Sequence, residues 1–311
     1  MFSVLTVVLP IFALIFAGWI CRRGNILGPL AATEINRFVV YLALPALLFD
    51  IVASAQWSDI WQPAFIATFG LGVGVVFVVT LVLRLARARH LADAAIDGLN
   101  AAYANTAFLG FPLVLAVIGP EAMAPAMIAT ILTVCVLFSI ALILVEIGLQ
   151  SEARPSHMVK KLAMSMVRNP LIVAPVLGAL FLSLDLKVPS PVESFLKLLG
   201  AAASPCALVG LGLFLGERRQ TTTRVAGSTA LLAPLKLVGQ PAVTWILATH
   251  VFQLSMPLTH VATLLAALPT GTGPFMVAEF YRREGVVTSR TILFSTMASL
   301  GTITAYLTWS A

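Results

Sequence analysis

Ten runs of apolar residues, each roughly 20 long, follow one another with little chain between them, and runs of that length match the hydrocarbon thickness of a bilayer. They fall near 3–20, 35–53, 63–83, 94–117, 122–147, 166–184, 194–215, 225–249, 260–281 and 288–308. Backbone groups in lipid must be satisfied within their own segment, so each run is expected to be a helix. Of the 311 residues, 59% are hydrophobic and only 10% charged, against roughly 25% charged in soluble chains. No length is left over for a soluble domain. The reading is an all-α polytopic membrane protein. The first run lacks a basic start and a small-residue cleavage pattern, and Arg22 and Arg23 follow it. It is expected to stay as a span rather than be removed as a signal peptide.

The loops fix an expected orientation. Arg22, Arg23, Arg37, Arg84, Arg87, Arg89, Arg154, Lys160, Lys161, Arg168, Arg218, Arg219, Arg224, Arg282, Arg283 and Arg290 fall in alternate loops, sixteen of the nineteen Lys and Arg. The positive-inside rule makes that side cytoplasmic and places both termini outside. The net charge of +6 is accounted for by these loops and gives no nucleic-acid signal.

The chain also reads as two halves, 1–149 and 166–311, joined by a basic cytoplasmic linker at 150–165. Pro10 pairs with Pro170 or Pro175, Pro45 with Pro205, and a break at Asn105 with a break at Pro269, at offsets of 160 to 165 residues. Five spans per half is an odd number, so the halves are expected to be inverted repeats.

Two runs carry residues that interrupt helices. One is Tyr-Ala-Asn-Thr-Ala-Phe-Leu-Gly-Phe-Pro at Tyr103–Pro112; the other is Leu-Pro-Thr-Gly-Thr-Gly-Pro-Phe at Leu268–Phe275. Broken helices at corresponding places in two halves point to a transporter's binding site. At 1.5 Å per residue, Asn105 lies about 12 Å into span 4 and Thr270 about 15 Å into span 9, both near the midplane. The two breaks are expected to cross there. The second half-helices, starting near Thr106 and Thr272, would bring unpaired N–H groups and about half a positive charge each. That suits an anion, carboxylate first. Asn105, Thr106, Thr270 and Thr272 add side-chain donors; Gly110, Gly271 and Gly273 allow close approach; Pro112, Pro269 and Pro274 enforce the breaks. The plain alternative is that Pro and Gly merely kink membrane helices.

Lys236 is the other outlier, about 18 Å deep in span 8 by residue count. Intramembrane charges usually mark a pathway, so it is a candidate cation beside the crossing. The alternatives are a pair with Asp50 or a cap on a broken-helix carbonyl. Asp50 is also a candidate coupling group, and Pro45 and Pro205 are candidate hinges. Glu146, Glu279 and Asp97 are counted to the cytoplasmic boundary, so no carboxylate is expected at the midplane, which favours uniport. Cys21, Cys135 and Cys206 have no metal spacing, and His250 and His260 sit at outer edges without other ligands, so no metal is expected. The sequence lacks His-Glu-x-x-His, Gly-x-Ser-x-Gly and Walker signatures, so neither an enzyme nor an ATP-driven pump is expected, and no cofactor.

Several stretches, in this order, resemble the auxin efflux carrier family, which includes bacterial malonate and malate permeases. They are Val-Leu-Pro-Ile-Phe near the start, Tyr-Leu-Ala-Leu-Pro-Ala-Leu-Leu-Phe at 41–49, Asn105-Thr106-Ala-Phe-Leu-Gly110-Phe-Pro112-Leu, Lys236-Leu-Val-Gly-Gln-Pro, and Leu268-Pro269-Thr270. The resemblance covers nearly the whole chain. It implies a ten-helix fold of two five-helix inverted repeats, with broken spans 4 and 9 crossing at the midplane. It also implies a scaffold of spans 1, 2, 6 and 7, a transport domain of spans 3–5 and 8–10, elevator motion and a homodimer joined through the scaffold. Plant members carry a proline at the span 4 crossover, where this chain has Asn105-Thr106. The expected function is secondary transport of a small organic anion, a dicarboxylate such as malonate or malate, across a bacterial inner membrane. Larger aromatic acids, a non-transporting sensor and an anion channel are the rivals.

Overall fold

The structure, a computed structural model, describes residues 2–149, 164, 167–216 and 223–310. Apart from Met164, the stretch 150–165 lies outside the described residues, and so do Arg154, Lys160, Lys161, Arg218 and Arg219. Among the described residues the chain is helical, with no strand beyond one isolated bridge. Its principal helices are α1 (Phe2–Arg23), α2 (Ala31–Ala53), α3 (Pro63–Leu85), α4 (Leu91–Ala102), α5 (Thr106–Val117) and α6 (Pro120–Leu149). They continue with α7 (Pro170–Ser183), α8 (Ser190–Gly216), α9 (Gly227–Val251), α10 (Met256–Ala266), α11 (Gly273–Phe280) and α12 (Gly285–Ser310).

Six of these, α2, α3, α6, α8, α9 and α12, are long and apolar enough to cross a membrane; α5, α7 and α10 are shorter apolar helices. Together they make a multi-pass membrane protein, with apolar side chains exposed along α3, α7 and α8 where lipid takes the place of water.

Packing divides the helices into two groups. α1 lies along α8, and α2 lies along α7 and α8. A Cβ on Gly212 would sit 1.9 Å from the Ile15 carbonyl oxygen, and one on Gly18 would sit 2.1 Å from the Val209 carbonyl oxygen. Glycine is what lets α1 and α8 touch backbone to backbone, the small-residue packing that replaces hydrophobic driving force in lipid. In the second group α4 packs on α3 and α6, while α9 packs on α3, α10 and α12. α11 touches both groups: its Met276 carbonyl accepts from Asn36 Nδ2 of α2 at 3.3 Å, and Phe275 meets Phe214 of α8 edge-on at 5.2 Å.

Three helices contain a π-turn beside a proline. Val39–Ala43 precedes Pro45, Thr106–Gly110 precedes Pro112, and Leu235–Gly239 precedes Pro241. Proline lacks an N–H and its ring crowds the carbonyl four residues back, so a widened turn lets the helix continue. Pro45 is half-buried after its wide turn; Pro205 is exposed, three residues past the bend at Ala202 that divides α8.

Candidate functional site: the crossing of two interrupted helices

α4 ends at Ala102 because Tyr103 turns extended, with φ −81° and ψ 92°. Asn105, at φ −77° and ψ 56°, sends the chain into α5. No proline is needed at the break itself. α10 stops at Ala266, three residues before Pro269, and a residue before proline is held out of the α region.

The two gaps meet. Ala104 and Thr270 form an antiparallel bridge. The Asn105 N–H donates to the Pro269 carbonyl at 2.9 Å, and the Gly271 N–H donates to the Tyr103 carbonyl at 3.0 Å. Around this pair several polar groups of the break are paired. Thr270 Oγ1 donates to the Asn100 carbonyl at 2.8 Å, and its N–H donates to Ser295 Oγ at 3.2 Å. Asn100 Nδ2 donates to Thr288 Oγ1 at 2.9 Å. Residues 261–278 are all buried, so every unpaired amide there would carry a desolvation cost, and the crossing answers it with pairing between the two breaks.

Lys236 sits at the wide turn of α9, fully buried. Its Nζ donates to the Ala266 carbonyl at 2.7 Å. It therefore caps the C-terminal end of α10, satisfying a carbonyl that the helix leaves open. Asp50 lies elsewhere, half-buried in α2, accepting from Ser54 Oγ at 3.1 Å.

A small cavity lies against the crossing. Its walls are Tyr103, Ala104, Asn105, Thr106, Ala107 and Phe108 at the start of α5, Thr272 and Met276 at the start of α11, Val134 of α6, Leu44 and Leu47 of α2, and Ala203 of α8. The space is about 10 Å3 for a water-sized sphere, room for about one water. Both half-helix starts reach it, and N–H groups of a first turn have no carbonyl one turn back. Thr106 Oγ1 is buried without a hydrogen-bond partner among the described residues.

Of the singled-out residues, Asn105, Thr106 and Thr272 line the cavity, while Pro269, Thr270 and Lys236 hold the crossing together behind it. Gly271 and Gly273 make room for a ring: a Cβ on Gly271 would lie 2.8 Å from Tyr103 Cε1, and one on Gly273 would lie 2.6 Å from Tyr103 Cζ. Gly110 packs against Leu265 and Leu268 of the other break; Pro274 is buried in the first turn of α11; Pro112 is exposed on α5. Tyr103, Val134, Leu44, Leu47, Ala203 and Met276 were not readable as cavity residues from spacing alone. The two glycines facing Tyr103 across the sequence were the available signal.

Near the basic loops, Arg283 donates to Asp93 through Nε at 2.6 Å and through a terminal nitrogen at 2.9 Å, and this bond holds the guanidinium pKa above its ordinary value. Among the described residues no group of three His, Cys, Asp or Glu is placed to hold a metal ion.

The family model described as membrane transport protein matches residues 3–307. A Rhizobium meliloti protein named "Putative malonate transporter" is 29% identical over 306 residues, covering 96% of this chain and 93% of its own. The Arabidopsis thaliana auxin efflux carrier component 8 is 22% identical over 356 residues, covering 98% of this chain and 96% of its own. An uncharacterized transporter of Methanothermobacter thermautotrophicus is 29% identical over 274 residues, covering 83% and 86%. The chain belongs to the membrane transport protein family, and its match to auxin efflux carrier component 8 runs over nearly the full length of both chains.

Proposed function

We propose that this membrane transporter is a secondary carrier of small organic anions and that the anion binds at the crossing. The observation that carries the reading is the convergence of two half-helix starts, with Asn105, Thr106 and Thr272, on one cavity. Each start contributes about half a positive charge in a medium that screens poorly. Lys236 acts from behind, fixing the end of α10 rather than touching cargo.

Room for about one water is too little for a dicarboxylate. Loading therefore requires Leu44, Leu47 and Ala203 to move relative to the starts of α5 and α11. That supports alternating access with α1, α2, α7 and α8 as scaffold and the remaining helices as the moving body, arranged as ten spans in two inverted repeats. The surface between them is suited to sliding: ring contacts such as Phe214–Phe275 and Tyr41–Phe280, and the long Asn36–Met276 hydrogen bond. Pro45 and Pro205 are the proposed hinges, Asp50 a proposed coupling group, and a homodimer through the scaffold the proposed assembly. The proposed location is a bacterial inner membrane with the basic loops in the cytoplasm. A fluorescent protein that folds only in the cytoplasm, fused after Ala311, should stay dark.

A malonate-like dicarboxylate is the first cargo to test, on the strength of the Rhizobium relative's name. A second reading is an amphipathic acid with one carboxylate. It is favoured by the lining, which contains Leu44, Leu47, Phe108, Val134 and Met276 and, among the described residues, no Lys, Arg or His. Counterflow in proteoliposomes with labelled malonate, malate and aromatic monocarboxylates separates them. Exchange of malonate favours the first reading, exchange confined to aromatic acids the second, and no counterflow by any acid removes the carrier reading.

A further inference from the structure

Asp97 lies in α4, one helical turn before Asn100, and is fully buried. Its Oδ2 is 2.9 Å from Arg84 Nε and 3.8 Å from an Arg89 terminal nitrogen. Among the described residues, neither carboxylate oxygen nevertheless has a hydrogen bond, and neither do Arg84 Nε, one Arg84 terminal nitrogen and Arg89 Nε. Opposite charges are close here without the directed bonds that normally offset burial. Ionised, Asp97 is the counter-charge of Arg84; protonated, it leaves that guanidinium buried without one.

The charged groups around it come from four places. Arg84 ends α3 and Arg89 sits on the turn into α4. Asp93 stands one turn earlier on α4, and Arg283 and Glu284 come from the turn between α11 and α12. Arg89 also pairs with Glu284, and Arg283 clamps Asp93. Three carboxylates thus balance three guanidinium groups only while Asp97 is ionised. Beside them a cavity of about 520 Å3 is lined by Thr33, Glu279, Arg282, Arg283 and Glu284, which brings water to the same turn.

We propose that Asp97 is a protonation switch for the crossing. Ionised, it fastens the base of α4 to α3 and, through Arg89, to the α11–α12 turn. When an oxygen of Asp97 takes a proton from hydronium that reaches it from the cavity past Glu284 and Arg89, Arg84 is left buried without its counter-charge and the tie loosens. The strain passes one turn along α4 to Asn100, whose carbonyl holds Thr270 and whose amide holds Thr288. The sign follows: the tie is present at high pH and is lost as pH falls. The proton returns to water by the same route when pH rises. The switch uses the carrier reading for its transport readout only.

The test uses the full chain in liposomes, with equal pH on both faces, between about pH 5.5 and 8.5. Backbone hydrogen exchange over 84–100 and 281–288, corrected for intrinsic rates, is followed beside labelled malonate uptake. The wild type should lose protection in both segments, and several-fold in rate, as pH falls. Asp97→Asn should show the low-pH protection at every pH, and Asp97→Glu should keep the dependence. Protection in the wild type that does not change with pH, or an Asp97→Asn profile that follows the wild type, overturns the switch. If Asp97→Asn does not fold, the wild-type and Asp97→Glu profiles decide. Exchange that responds to pH without malonate uptake keeps the switch and rejects malonate as cargo.

Discussion

The two interrupted helices are anchored by opposite chemistry at their far ends. At the start of α4, guanidinium–carboxylate contacts join Arg84, Arg89 and Arg283 to Asp97, Glu284 and Asp93. Within α10, rings do the same work. His260 Nδ1 lies 2.9 Å from the Tyr306 hydroxyl, and Trp245 packs between His260 and Trp309 at 5.7 and 5.0 Å. The first anchor answers to salt and protons. The second answers to lipid, because amphipathic rings favour the membrane–water boundary. Between these ends both helices break, one without a proline and one before Pro269, and the breaks bond to each other. Two different anchors therefore hold one shared centre, and the centre should tolerate damage least.

The largest expected effect is at that centre. Gly273→Val places a branched side chain where Tyr103 Cζ is 2.6 Å from a Cβ. Displacing the crossing by about 1 Å should lower counterflow about 100-fold, with the protein still monodisperse in detergent. Tyr103→Ala in the same chain should restore part of the rate. Lys236→Ala comes next. It leaves the buried Ala266 carbonyl without its Nζ partner, a loss of about 1–3 kcal/mol, and should lower initial uptake about tenfold. Wild-type rates in that variant would take Lys236 out of the account. Thr270→Val deletes one neutral buried hydrogen bond to Asn100. About 1 kcal/mol, or about fivefold in rate, is expected.

The smallest effects distinguish the anchors. Arg283→Ala should cost about 0.5–1 kcal/mol in thermal unfolding at low salt and less at high salt. Tyr306→Phe should cost a similar amount that does not change with salt. An equal salt response at both ends would break the comparison.

Much of this arrangement was legible in the sequence for physical reasons. Apolar runs of bilayer length have few other uses, so α2, α3, α6, α8, α9 and α12 stand out. Pro269 ends a helix by its own geometry, and Asn105 lies in a run that cannot remain helical cheaply. Other parts depended on packing. Residue counting placed Lys236 deep but could not show that α9 would aim it at the Ala266 carbonyl. Asp97 was counted to the boundary, yet it is buried because Arg84 and Arg89 fold over it. The spacing of Asp93 and Asp97, four residues apart on one helix face, was the unused signal. Tyr103 was hidden because an aromatic residue in an apolar run reads as ordinary span. Only the glycines opposite reveal that its ring has a reserved place.

The central claim is that an anion sits where α5 and α11 begin. The most direct measurement is cysteine protection in a chain lacking Cys21, Cys135 and Cys206. Ala107→Cys and Met276→Cys line the cavity, and Arg282→Cys lies at the basic end. With the transported acid at ten times its Kd, labelling by a small aqueous thiol reagent should slow about tenfold at 107 and 276 and stay unchanged at 282. Equal labelling with and without the acid at 107 and 276 would contradict the account.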